Sequence, residues 1–115
     1  MIDICKVTLK YLESAISIPC YMEEPINQPD SYIVIEKTGS SVIETGVYGA
    51  MIAVQCYGKS LLEAHELNER MKPYMMSFQD KNDGVAESRL NTDYNFTDSE
   101  TKRYRYQAIF DIVHY

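Results

Sequence analysis

The clearest pattern of hydrophobic and polar positions lies at the C-terminal end of the chain, where two classes of residue alternate. One alternate set is mostly apolar or aromatic: Tyr104, Tyr106, Ala108, Phe110, Ile112 and His114. The positions between them are Arg105, Gln107, Ile109, Asp111 and Val113, of which three are polar. Period-two alternation over this length is typical of a half-buried antiparallel strand. The pattern therefore predicts a final strand over residues 103–115.

Three further segments have strand patterns. Residues 32–38 are β-branched and aromatic, and the following Gly-Ser-Ser breaks this strand. Residues 48–57 are almost continuously apolar, which predicts a central strand covered on both faces. Residues 85–91 alternate but are polar, which predicts a strand near an edge of the sheet. Between them we expect a short extended piece at 19–23, an irregular hairpin tip at 42–46 and a connecting loop at 92–101.

Two segments repeat their apolar residues at helical spacing. Residues 2–15 form the first, with Asp3 placed to suit the helix dipole. Residues 60–78 form the second, where Ser60 and Glu63 have the spacing of a capping box. Pro73 lies late in this helix and is expected to kink it or end it a turn early.

The element order is thus α-(β)-β-β-α-β-β in a single domain over residues 1–115. Segregated hairpins and two amphipathic helices indicate an α+β fold. We expect a mostly antiparallel sheet of about four strands with both helices packed on one face.

Composition fits a single globular domain: the chain has 115 residues, of which 45% are hydrophobic. No apolar run is long enough to span a bilayer, and the N-terminus lacks the pattern of a secretion signal. We therefore expect the protein to stay in a cytoplasm. Cys5, Cys20 and Cys56 are widely spaced and suggest no zinc site, so we interpret them as small buried hydrophobes in a reducing compartment.

No group of residues has the pattern of an active site, so we expect neither catalytic residues nor a cofactor. His65 and His114 lack recognisable catalytic flanks, and we interpret them as a helix-surface or core-edge residue and a strand residue. The acidic segment 93–98 has some likeness to a calcium loop but lacks the glycine and the spacing. We favour the alternative that its Asn, Asp and Thr side chains bond local amides and fix turns, with no metal.

The tract from Lys102 to Tyr106 interleaves basic and aromatic residues, as a stacking platform for single-stranded nucleic acid does. The formal net charge of -6 argues against phosphate binding. We favour a solvated or interface face opposite a packed face.

Four stretches together resemble a known family: residues 32–40, 57–64, 88–98 and 101–108. They are similar to the tail terminators of siphophages and prophages of Gram-positive bacteria, also called tail completion or tail-to-head joining proteins. The resemblance implies a virion structural protein, assembled in the bacterial cytoplasm. It would form a ring, typically a hexamer, that ends tube polymerisation at the head-proximal end of the tail. The implied partners are other copies of itself, the tail tube protein and the head-tail connector. No cofactor, reaction or membrane is implied.

The alternatives are a head-side completion protein or another minor capsid or neck protein, and, less favoured, a small nucleic-acid-binding module. Tyrosine-rich faces and strand edges are suitable material for a ring interface. The candidate contact segments are residues 92–102, the faces of the last strand, and residues 39–49. The candidate interface residues are Tyr94, Phe96, Arg103, Arg105 and Tyr48. The acidic charge would let DNA pass through the ring without sequence-specific binding.

Overall fold

The computed structural model describes every residue, Met1–Tyr115, and has an α+β fold. Its helices are α1 (Ile4–Ile16), α2 (Leu61–Met76) and the short α3 (Phe78–Lys81). Its strands are β1 (Cys20–Tyr21), β2 (Tyr32–Glu44), β3 (Val47–Tyr57), β4 (Val85–Asn95) and β5 (Arg105–His114). The predicted class and element order are confirmed, but the sheet has five strands rather than about four, and α3 was not predicted.

The strands form one sheet in the order β1-β2-β3-β5-β4. All neighbours are antiparallel except β1 and β2, which are parallel. The strand β3 is central and β4 is an edge strand, both as predicted. The predicted alternation in β5 is also confirmed, since Phe110 lies opposite the core residue Ile52 while Gln107 lies opposite Gln55 on the other face.

Both long helices pack on the same face of the sheet, as expected. Their core residues include Leu12 and Met71, which are fully buried. They share one apolar cluster with alternate sheet residues: Ile33, Ile35, Ile52, Val54, Cys56, Ala108, Phe110 and Ile112. The opposite face has no helix over it, yet Ala53 and Tyr57 of β3 are buried there, so the end of β3 is buried on both faces as expected, with side chains of the sheet covering the second face. We call this uncovered side the open face.

Local signals in the sequence fix both helix starts. The Asp3 carboxylate accepts a hydrogen bond from the Lys6 amide at 3.3 Å and caps α1. The Ser60 hydroxyl caps α2 by accepting from the Glu63 amide at 3.2 Å. The Glu63 carboxylate accepts from the Lys59 amide, one residue before the amide that a capping box predicts.

The helix α2 runs through Pro73 and continues to Met76 before Ser77 interrupts it. The Ser77 amide and hydroxyl both donate to the Pro73 carbonyl, at 3.2 and 2.9 Å. The proline therefore does not end the helix a turn early. None of the three helices combines the length and the apolar character that crossing a membrane requires.

The strands β2 and β3 form a hairpin that is longer than the sequence predicts. Gly39, Ser40 and Ser41, expected to break the strand, lie opposite Met51, Ala50 and Gly49 in the ladder. All side chains from residue 36 to residue 46 are exposed. We call residues 37–49 the hairpin arm. Main-chain pairing with β3, rather than side-chain burial, holds this segment in an extended conformation.

The strand β4 also extends beyond its predicted end, through Asn95. The predicted loop over residues 92–101 is correspondingly reduced to residues 96–104, which contain an isolated bridge between Asp98 and Arg103. The last strand begins at Arg105 rather than at residue 103. The segment predicted as a contact loop is therefore part strand and part turn.

Candidate interaction surface

The open face carries a group of polar and aromatic residues at the end where β3 finishes. Gln107 of β5 lies opposite Gln55 of β3 on one side and opposite Tyr94 of β4 on the other. Arg105 lies opposite Tyr57 in the same ladder. Residues directly opposite each other in an antiparallel pair share a face, so the sheet itself brings these five side chains together.

A chain of hydrogen bonds joins the glutamines to two tyrosines. The Gln55 amide nitrogen donates to the Gln107 carbonyl oxygen at 2.7 Å, and the Gln107 amide nitrogen contacts the Tyr94 hydroxyl at 2.5 Å. The Tyr57 hydroxyl donates to the Gln55 carbonyl oxygen at 3.4 Å. Gln55 and Gln107 are only 8% and 7% exposed, although no helix covers them. Their neighbours on the sheet shield them, and the hydrogen bonds to each other and to the two tyrosines satisfy their amide groups.

Arg105 closes this chain into a loop. Its Nη1 donates to the Tyr57 hydroxyl at 2.9 Å, and its Nε donates to the Phe96 carbonyl at 2.7 Å. Its guanidinium carbon lies 4.4 Å from the centroid of the Phe96 ring, within the range of a cation–π contact. Phe96 in turn meets Tyr94 edge to face, with ring centroids 5.8 Å apart. We call the six residues the open-face network: Gln55, Tyr57, Tyr94, Phe96, Arg105 and Gln107.

A second set of tyrosines extends the network toward β1. The rings of Tyr57 and Tyr32 stack with centroids 4.4 Å apart, and Tyr21 meets Tyr32 edge to face at 6.1 Å. Burial, and secondly the neighbouring Tyr57, raise the pKa of Tyr32 to about 12, and burial also raises the pKa of Tyr57. Both phenols therefore stay neutral at physiological pH and act as packing and hydrogen-bonding groups.

Arg103 lies beside this tyrosine group and forms an ion pair with Glu24. The pair joins the segment after β1 to the turn before β5, which are far apart in sequence. Arg103 is thus held by a carboxylate, and Arg105 by Phe96 and Tyr57. These contacts occupy much of the donor capacity that a nucleic-acid platform would offer to phosphates.

The acidic turn before β5 is fixed by its own side chains, as expected. The Asn95 side-chain oxygen accepts from the Thr97 amide at 3.0 Å and from the Thr97 hydroxyl at 2.6 Å. The Asp98 carboxylate accepts from the Glu100 and Thr101 amides, at 3.0 and 3.4 Å. The Glu100 amide is the main cause of the lowered pKa of Asp98. No group of three or more His, Cys, Asp or Glu side chains is placed to hold a metal ion.

Asp93 points to the helix side, away from the open-face network. Its Oδ2 accepts from the Asn68 amide and from the Lys72 ammonium, both at 2.9 Å. The hydrogen bond from Lys72 is the main cause of the lowered pKa of Asp93. This contact ties the edge strand β4 to α2, so the acidic segment serves two different faces.

Tyr48 does not join the other candidate interface residues. It lies at the far end of the sheet, where its ring centroid is 5.8 Å from that of the buried His114. His65 is exposed on α2 and meets Tyr106 edge to face at 5.3 Å, as its helix-surface interpretation predicts. All three cysteines are buried and unpaired, and burial raises the pKa of Cys20 to about 12.

The far end of the open face is a groove of about 450 Å³ beside the hairpin arm. Met51, Arg89 and Asp111 are among its lining residues. The arm itself carries two of the most exposed aliphatic side chains, Val42 and Ile43, which are 71% and 55% exposed. These exposed apolar side chains make the hairpin arm a candidate contact surface.

The sequence suggested Tyr94, Phe96 and Arg105 as candidate interface residues, and these are three of the six network residues; Arg103, also suggested, lies beside the network. The sequence missed the other three, Gln55, Tyr57 and Gln107. A signal for Gln55 exists, because it is the one polar side chain in the apolar run of residues 50–57. Its partner could not be named before the register of β3 and β5 was known.

The arrangement offers a rigid aromatic and polar surface on one end of the sheet and an exposed hairpin on the other. Tyr and Arg are among the residues that most often carry binding energy at protein interfaces. No protein-family model matches the chain, and no curated protein matches it either. The geometry of the open face is therefore the main structural guide to function.

Proposed function

We propose that the chain is a structural protein of a phage or prophage virion, which forms a ring at the head-proximal end of the tail. The ring ends polymerisation of the tail tube and joins the tail to the head. The main support for the proposal is that the stretches resembling the family also supply most of the open-face network. The stretches with the most specific resemblance to tail terminators, residues 88–98 and 101–108, supply four of the six network residues: Tyr94, Phe96, Arg105 and Gln107.

Two features of the fold support assembly into a ring. On one side of the sheet the two-residue β1 leaves the outer edge of most of β2 unpaired, and on the other side the outer edge of β4 is unpaired. A ring needs a heterologous interface, in which one patch meets a different patch on the next copy. Two different free edges on opposite sides of one subunit meet that requirement, and the exposed hairpin arm adds contact surface.

The open-face network is the surface that we assign to the tail tube protein. Its side chains are already held by one another, so little conformational entropy is lost when a partner covers them. The net charge of -6 supports a ring whose channel DNA crosses without tight binding.

The test is to locate the protein on its partners. Gold-labelled protein is mixed with tubes polymerised from the tail tube protein of the same phage or prophage, and separately with its head-tail connector. We expect label at one end of each tube in electron micrographs. Label on the connector alone would instead support the head-side completion protein. Label on neither partner would contradict both, as would tight, salt-dependent binding to duplex DNA.

A further inference from the structure

We infer that neighbouring copies join edge to edge: the outer edge of β2 over residues 37–44 pairs, antiparallel, with the outer edge of β4 over residues 86–93 of the next copy. The inference rests on the proposed ring, and it names the strands that form it. One continuous sheet would then run around the ring, with every helix on the same side.

Both edges are free within the subunit. The strand β1 pairs with β2 only at Ile33 and Val34, so the remainder of β2 has no neighbour on its outer side. The strand β4 ends the sheet order and has β5 as its only neighbour. An unpaired strand edge is a template for another chain, and the hairpin arm has no proline or covering element to block it.

The topology decides the direction of pairing. The strands β2 and β5 run one way, and β3 and β4 run the other. Rotation about a ring axis preserves each strand's direction relative to that axis. The β4 edge of one copy therefore meets the β2 edge of the next in the antiparallel sense, with the helix-covered faces continuous.

The backbone shows which groups on these edges point outward. Residues of an antiparallel ladder alternate between bonding to their neighbour and facing away. The Phe96 amide donates to the Arg105 carbonyl, which shows which residues of β4 bond to β5. The Gly58 amide donates to the Tyr104 carbonyl, which shows which residues of β3 bond to β5 and, by alternation, which bond to β2. When this alternation is continued across the register shifts, the backbone N–H and C=O groups of six residues point away from the sheet: Lys37, Ser40 and Val42 on β2, and Ser88, Leu90 and Asp93 on β4.

One register satisfies all three outward pairs at once. It sets Val42 opposite Ser88, Ser40 opposite Leu90, and Lys37 opposite Asp93, and in each pair both side chains lie on the helix-covered face.

The two strands also have register shifts at matching positions. The register of β2 shifts between Lys37 and Gly39 and between Val42 and Glu44. The register of β4 shifts between Leu90 and Thr92 and between Val85 and Glu87. In the inferred register, each shift on one edge falls within one residue of a shift on the other.

Charge is complementary in the same register. The Lys37 ammonium faces the Asp93 carboxylate, whose Oδ2 is bonded to Lys72 and Asn68 of its own subunit while its Oδ1 accepts no hydrogen bond there. No two like charges lie directly opposite, an arrangement that would be destabilising. Arg89 faces Ser41, and Glu87 faces Ile43. About eight residues from each copy form the strand pair, fewer than the 20–30 of a typical specific interface. We therefore expect assembly to depend on concentration or on the presence of the tube.

The register can be tested with two single-cysteine variants, Ser41→Cys and Arg89→Cys, purified separately. These two exposed positions form a non-hydrogen-bonded pair, for which the Cα separation of about 4.5 Å suits a disulfide. The variants are mixed at high concentration with tube ends, oxidised gently and run on a non-reducing gel. We expect a cross-linked dimer from the mixture and none from either variant alone. The wild-type chain reports any background from its three buried cysteines.

Thr92→Cys replaces Arg89→Cys as the register control. It lies on the same strand and face but three residues along, which is about 10 Å at the rise of a strand. It should give at least tenfold less dimer. Equal cross-linking by Thr92→Cys, or cross-linking of Ser41→Cys with itself, would overturn the inferred register.

Sedimentation of the same unoxidised mixture separates this inference from the proposed ring. Ring-sized particles without a cross-link would overturn the edge pairing and leave the ring standing. A monomer under every condition, with no cross-link, would contradict both.

Discussion

Arg105 and Phe96 are joined twice: the guanidinium carbon lies 4.4 Å above the Phe96 ring, and its Nε donates to the Phe96 carbonyl at 2.7 Å. The contact pins the turn before β5 onto the open face. Without it, the aromatic end of the proposed tube-binding surface would lose its main attachment to β5.

Replacing Arg105 with methionine should therefore loosen this end of the sheet. Arg105→Met keeps much of the apolar stem but removes the hydrogen bonds to Phe96 and Tyr57 together with the ring contact. We expect a loss of about 1–2 kcal/mol in the free energy of unfolding, measured by urea denaturation, and weaker binding to tube ends. Lys6→Met is the control, because Lys6 is exposed on α1, away from the open-face network and from both strand edges; its effect should stay within about 0.5 kcal/mol. Equal losses in the two variants would show that the Phe96 contact contributes nothing.

The paired glutamines should show strong non-additivity. Gln107→Leu leaves the buried Gln55 amide without its partner, and an unsatisfied buried polar group costs about 1–3 kcal/mol. The double variant Gln55→Leu, Gln107→Leu removes both groups and should lose less than the sum of the two single variants, by about 1 kcal/mol or more. Urea unfolding of the four proteins gives this coupling directly. Additive losses would mean that the hydrogen bond between the glutamines adds no stability.

The contact between Asp93 and Lys72 predicts a pH dependence in acid. The pKa of Asp93 is lowered in the folded protein, chiefly by the Lys72 ammonium, from an ordinary value of about 3.9. Its contribution to stability is therefore fully present above about pH 4 and is lost as the pH falls through the lowered folded pKa. The unfolding free energies of wild type and Asp93→Asn, measured from pH 7 to pH 2, should converge at the acid end. The exposed Asp83→Asn is the control and should stay within about 0.5 kcal/mol of wild type at pH 7. A gap between wild type and Asp93→Asn that stays constant with pH would contradict the ionic origin of the contact.

Gly58 should not tolerate a side chain. A Cβ at this position would lie 2.5 Å from the Ala64 backbone nitrogen and 2.9 Å from the Glu63 carbonyl carbon, at the start of α2. Because backbone atoms cannot move aside cheaply, we expect Gly58→Ala to cost about 1–3 kcal/mol of stability. Gly39→Ala is the matched control, since a Cβ there meets nothing within 4 Å. Thermal unfolding compares the two, and a Gly58→Ala variant as stable as Gly39→Ala would show that α2 can shift away from β3.

The sequence predicts the elements whose side-chain pattern matches their burial. The period-two alternation of β5 and the apolar stripes of the two helices are examples, because burial of one face requires apolar residues at regular spacing. The hairpin arm was missed at Gly39, Ser40 and Ser41, since only the ladder with β3 holds them extended and no side chain is buried there. Only some residues of the open-face network could be suggested from the sequence, because their contacts also depend on strand pairing. Aromatic and basic residues near the C-terminus are visible in the sequence, whereas the pairing of Gln55 with Gln107 depends on strand register.

The most direct test of the proposed ring is the length of tail tubes grown in its presence. Tail tube protein is polymerised with and without the chain, and tube lengths are measured in electron micrographs as a function of time. The account predicts that tubes with the chain stop growing and carry a ring at one end, while tubes without it continue to lengthen. Arg105→Met should terminate growth less efficiently than the control variant Lys6→Met. Tubes that lengthen at the same rate with and without the chain would contradict the proposed function.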